Sequence, residues 1–227
     1  MAISDFLFPK KCLGCGRLGG YVCRECIKKV ETPFLICPQC GRKSVDGMVH
    51  AKCLKPQSLD GAISLWKYQG VVRKAVLGLK YKFALEIAGE LAAHTTNAIK
   101  NYTGFMPQEV VLVPIPLYWL RGNWRGFNQV EAVGKGIASS LGWKFASDLL
   151  IRKKSTKPQA ELKGDQRKQN VRGIFAVNPK YQPLAISHQS FILFDDVWTT
   201  GSTLKEAAKV LKRAGINNLW ALTLART

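Results

Sequence analysis

Seven cysteines, all before residue 54, fall in pairs two residues apart: Cys12 with Cys15, Cys23 with Cys26, Cys37 with Cys40, and finally Cys53 with His50. A two-residue spacing lets a tight turn aim both donors at one ion, and tetrahedral Zn²⁺ takes two such pairs. The eight donors therefore predict two closed, structural Zn²⁺ sites with no coordination position left for a substrate. Two partitions fit. In one the pairs combine in sequence order; in the other the first joins the third and the second joins the fourth. Gly14, Gly16 and Gly41 stand where knuckle turns need positive φ or close backbone approach. A segment of about 55 residues buries too little core to fold unaided, and each structural zinc supplies roughly 10–16 kcal/mol. An odd cysteine count and no export signal argue against a disulfide framework and for reduced thiols in the cytoplasm.

The cysteines stop abruptly, which divides the chain into a double zinc-ribbon domain over 1–57 and a second domain over 58–227. The 227 residues carry a formal charge of +19, and two thiolate-bound zinc ions would leave it near +16. A field of that size favours polyanions, either nucleic acid or a heavily phosphorylated small molecule. The longest near-apolar run, Val110 to Leu120, is too short to span a bilayer, so no membrane insertion is expected.

Beyond Pro56, strands alternate with helices. Ala62–Tyr68, Val110–Val113, Phe191–Phe194 and Leu219–Leu224 read as strands. Val71–Leu79, Ala84–Ile99, 127–141 and Thr203–Ala214 read as helices. That alternation predicts an α/β domain with a mostly parallel, doubly covered sheet, whose ligands bind beyond the carboxyl ends of the strands. The informative stretch runs from Phe191 to Thr203. A buried strand delivers Asp195 and Asp196, a loop of Thr199, Thr200, Gly201, Ser202 and Thr203 follows, and then a helix begins. Hydroxyls and backbone N–H groups at a helix start suit one phosphate, and Gly201 lets the backbone close around it. The paired acids repel an anion but suit vicinal sugar hydroxyls or Mg²⁺. The whole describes a cradle for ribose 5-phosphate.

This stretch resembles the phosphoribosyl pyrophosphate signature of the type I phosphoribosyltransferases. Leu79-Lys80-Tyr81, Val113-Pro-Ile-Pro116, Arg125-Gly-Phe-Asn-Gln129, Lys157-Pro-Gln159, Arg167 with Asn170, and Leu224-Ala-Arg226 resemble the ComF/ComFC competence-protein family, as do the paired cysteines. The resemblance implies a zinc-ribbon module followed by a phosphoribosyltransferase-like domain. It implies that Asp195 and Asp196 hold the ribose hydroxyls and that Thr199 to Thr203 hold the 5-phosphate. Arg121 or Arg125 would face the pyrophosphate, whose charge Mg²⁺ neutralises as the C1–O bond breaks. Residues 151–172, with eight Lys/Arg and two Asp/Glu, match a flap over the site. Two functions remain open. One is a phosphoribosyltransferase working in nucleoside metabolism. The other is a single-stranded-DNA handling protein of natural transformation that keeps the pocket as a sensor or grip. The chain has no Walker loop, so ATP-driven strand movement would fall to a partner such as a competence helicase.

Overall fold

The computed structural model describes residues 9–79, 84–102, 104, 109–117, 128–153, 171–181 and 189–227. The cysteine-rich segment forms two knuckles with the same internal bonding. In the first, the Cys12 N–H donates to the Arg17 carbonyl and the Gly16 N–H to Cys12; in the second, Cys37 donates to Arg42 and Gly41 to Cys37. Gly16 and Gly41 have φ of 76° and 73°. A Cβ on Gly14 would lie 2.6 Å from the Cys26 sulfur, so this glycine is needed for close approach. A short helix, α1 (Arg24–Lys28), separates the knuckles.

The α/β part opens with β1 (Gly61–Lys67), α2 (Gly70–Gly78) and α3 (Ala84–Lys100). It continues through β2 (Val110–Pro114), α4 (Gln129–Leu141) and β3 (Lys144–Phe145), then a small pair, β4 (Leu150–Arg152) with β5 (Phe175–Val177). It closes with β6 (Ser190–Trp198), α5 (Ser202–Arg213) and β7 (Leu219–Arg226). Five strands pair in the order β1-β7-β6-β2-β3, every neighbour parallel, while β4 and β5 form an antiparallel ribbon. The α/β architecture with a mostly parallel sheet, preceded by paired-cysteine knuckles, is the one the sequence leads one to expect. β3 and the β4–β5 ribbon were not expected, because runs of two or three residues carry no periodicity.

Apolar side chains cover both faces of the sheet. Val72, Ala75, Leu91, Val133 and Ile137 of α2, α3 and α4 pack on one face. Leu204, Ala207 and Leu211 of α5 pack with Leu150 and Phe175 on the other. Cys12, Val22, Ile27 and Val30 of the cysteine-rich segment belong to the first of these cores. A polar stripe on α3 adds to that contact. Glu86, Glu90 and His94, spaced four apart, share a helix face. Glu86 pairs with Lys10 at 2.8 Å. The Glu90 carboxylate accepts the Tyr21 and Val22 N–H groups at 3.0 and 2.6 Å, and His94 Nε2 donates to the Val22 carbonyl at 2.7 Å. No helix among the described residues is long and apolar enough to cross a membrane.

Candidate functional site

The knuckles gather their donors in sequence order. Cys12, Cys15, Cys23 and Cys26 form one group and Cys37, Cys40, His50 and Cys53 the other, with the ligand atoms of each group within 4.8 Å of one another. The crossed pairing is thereby excluded. Sulfur and imidazole donors at this spacing fit tetrahedral Zn²⁺. Burial opposes ionisation of Cys12, but N–H groups of Cys23, Cys15 and Gly14 outweigh it and bring the thiol down to about 6. Cys26 is pushed up to about 12 by hydrogen bonding with Cys15 and Cys23 and by burial, with Cys12 adding to it. Crowded sulfurs cannot all ionise without a cation to hold the charge. His50 Nε2 donates to the Lys43 carbonyl at 3.0 Å, which leaves Nδ1, 3.4 Å from the Cys40 sulfur, free to ligate.

The second group of residues lies at the carboxyl edge of the sheet. β2 is followed by α4, which covers one face, and β6 by α5, which covers the other, so the helices change sides between β6 and β2, the place beyond which ligands of such sheets bind. The Ile115 N–H donates to the Phe194 carbonyl at 2.8 Å and holds the two ends together. Asp195 and Asp196 sit on β6 at this edge, and the strand runs past them to Trp198. Each spends one oxygen locally: Asp195 accepts from the Asp196 N–H at 2.9 Å, and Asp196 from the Val197 N–H at 2.7 Å. Burial, then the neighbouring Asp196 charge, holds the Asp195 carboxyl well above its ordinary value, against a smaller opposing pull from Arg152. Asp195 as a residue is half-buried, and the burial of its carboxyl sets the direction of the shift.

The loop after β6 turns sharply. Gly201 has φ 69° and caps α5; a Cβ there would lie 2.3 Å from Cζ2 of Trp198. Only glycine allows both the left-handed backbone and the flat approach to the indole. The hydroxyls of Thr200 and Ser202 bond each other at 2.7 Å. Thr199 is exposed, Ser202 is buried and Thr203 lies between, so the four hydroxyl residues of the loop present their oxygens at graded depth around the start of α5. Asn128 caps α4: its Oδ1 accepts from the Val130 N–H at 3.1 Å and its Nδ2 donates to the Ile115 carbonyl at 3.2 Å, which ties the helix to the end of β2. Gln129 is buried beside it, and its Nε2 has no hydrogen-bond partner among the described residues.

Arg125, Arg121, Lys80, Tyr81 and the flap residues 154–170, with Lys157, Arg167 and Asn170, lie outside the described residues. Arg152, expected in the flap, lies instead in β4 and its charge bears on Asp195; sequence reasoning passed over Tyr68, whose phenol feels the Asp196 charge. Both reach the site by strand position, which no local motif signals.

The Double zinc ribbon domain family matches residues 3–54. Over 213 residues the chain is 31% identical to the DNA utilization protein YhgH of Salmonella typhimurium, covering 91% of this chain and 90% of that one. It is 28% identical to the competence protein F of Haemophilus influenzae, covering 90% of each. It is 27% identical to the competence protein ComFC of Bacillus subtilis, covering 86% of this chain and 78% of that one. Among solved structures, adenine phosphoribosyltransferase of Trypanosoma brucei aligns with a TM-score of 0.38 and 13% identity over 76% of this chain and 84% of that one.

Proposed function

The chain belongs to the ComF/ComFC family, and from that premise we propose that it binds phosphoribosyl pyrophosphate with Mg²⁺ and handles single-stranded DNA in its uptake or use. The end of β6 carries the first part of this reading: an acid pair followed two residues later by a hydroxyl-lined turn at a helix start. The acids accept sugar hydroxyls. Thr199, Thr200, Ser202 and Thr203, with the N–H groups at the start of α5, hold the 5-phosphate. Gln129, buried at the start of α4 with no partner for its amide nitrogen among the described residues, adds a further acceptor-seeking group near the end of β2. Arg125 and the basic flap would meet the pyrophosphate, whose excess charge Mg²⁺ balances. Asp195 and Asp196 also stand where carboxylates stabilise positive charge developing on the sugar. The names of the relatives and the charge of +19 support the DNA part.

Phosphoribosyl pyrophosphate with Mg²⁺ is expected to raise the melting temperature, as about 2.7 kcal/mol of stabilisation follows at a hundredfold excess over Kd. The double variant Asp195→Asn, Asp196→Asn should lose that shift and keep two zinc ions per chain. An unmoved melting temperature in the parent protein rejects the ligand. Release of pyrophosphate with added bases then separates a transferase from a grip or sensor.

A further inference from the structure

The carboxyl edge of the sheet carries a second recess beside the acid pair. Strand register sets Lys67, Arg226 and Trp198 abreast at the ends of β1, β7 and β6. The second knuckle lies across them, and the recess so formed encloses about 580 Å³. Lys67, Lys205 and Arg226 line it, Lys67 already paired with Glu31, and no Asp or Glu among the described residues does. Phe34 is 55% exposed in its wall. The ring holds the Arg226 guanidinium 4.6 Å and the Lys43 ammonium 5.3 Å from its centre.

Arg226 is half-buried, and no carboxylate among the described residues pairs with it. Burial alone pulls its pKa below the usual guanidinium value. A guanidinium kept from water without a counter-ion is costly, and an incoming anion removes that cost. A second recess of about 550 Å³ shares Gln39, Thr200 and Lys205 with the first and continues to Lys55 and Lys209. The acid in its wall, Glu206, is already engaged by the Gly173 N–H at 2.8 Å and by Lys209 at 2.9 Å.

We propose that these adjoining recesses form one track for single-stranded nucleic acid, with bases stacking on Phe34 and successive phosphates meeting Arg226, Lys205 and Lys55. An exposed ring flanked by cations suits base stacking beside a phosphate chain. The continuation past Lys205 suits a polymer over a single nucleotide. The proposal rests on the reading that the chain handles single-stranded DNA, and it makes the cysteine-rich module one wall of the track.

The test is fluorescence anisotropy of a labelled oligothymidine against salt, with the full chain. Phe34→Ala and Arg226→Ala should each weaken binding about tenfold. Arg226→Ala should also lower the slope of log affinity against log salt by about one, which loss of packing alone does not do. Both variants should keep their zinc and the thermal shift with phosphoribosyl pyrophosphate, which shows that they are folded. Ultraviolet crosslinking of a 5-iodouracil oligomer should mark Phe34 or Tyr68. Parent-like affinity and slope in both variants overturn the track while leaving DNA handling intact. Equal competition by thymidine monophosphate overturns it in favour of a mononucleotide site. A parent protein that binds no oligomer overturns the DNA reading itself.

Discussion

Asp195 and Asp196 are adjacent in sequence but face different surroundings, since successive strand residues point to opposite sides of a sheet. Asp195 feels the Asp196 charge first and, more weakly and in the opposite sense, Arg152 from the β4–β5 ribbon. Tyr68, at the end of β1, is the group that feels Asp196; burial first, and then that charge, raise its phenol. The pair therefore straddles the strand end. Asp195 is the strained member. Its pKa in the folded chain lies above the ordinary 3.8, so the native state binds this proton more tightly than the unfolded chain does. That contribution is favourable at low pH and is lost as pH rises through the raised value. Asp195→Asn should therefore melt higher than the parent at neutral pH without ligand, and the gain should shrink toward pH 4. Thermal melts of both proteins across that range check it, and acid effects on the zinc ligands cancel in the difference. A variant less stable than the parent at neutral pH contradicts the assigned strain.

At the scale of elements, α3 does two jobs with two faces. Ile87, Ala88, Leu91 and Ala92 bury against the sheet, while Glu86, Glu90 and His94 meet the first knuckle. Glu90 is the strongest link, because one carboxylate satisfies two backbone N–H groups. Hydrogen bonds to a charged group contribute about 1.5–3 kcal/mol each, and orphaned donors cost more than a lost pair. Glu90→Ala should lower the unfolding free energy by about 2–4 kcal/mol and speed amide exchange at Tyr21 and Val22. Denaturant titration and exchange read by mass spectrometry measure the two effects. Unchanged protection at Tyr21 and Val22 would show that the carboxylate is dispensable. The helix itself was legible as an amphipathic stretch. Its polar stripe was not, because the partners are main-chain N–H groups, which look alike at every residue.

Across the whole molecule, the cysteine-rich segment and the sheet share apolar contacts. Cys12, Val22, Ile27 and Val30 sit in the same core as Ile63, Leu91 and Trp220. Zinc binding therefore supports more than its own knuckles. Chelation should lower the temperature of the main calorimetric transition, and should not remove a small separate one, since burial lost at the knuckles is lost to α2 and α3 as well. A main transition at the same temperature with and without chelator argues that the two parts fold independently. The same docking builds the recess at Phe34 and Arg226, so chelation should weaken oligomer binding together with stability.

Much of this was written in local chemistry. Eight paired donors identify two four-ligand sites, because ligand spacing is a property of a single turn. The run from Phe191 to Thr203 identifies a strand, an acid pair and a glycine turn, because apolar burial and positive φ act on neighbouring residues. The tertiary structure decided what depends on separation: the sequential grouping of the knuckles, Arg152 beside Asp195, Glu90 beneath Tyr21 and Val22, and Arg226 stacked on Phe34. These pairs lie from about ten to almost two hundred residues apart. Parallel pairing joins strands distant in the chain, and only the register of the closed sheet sets which side chains meet at its edge.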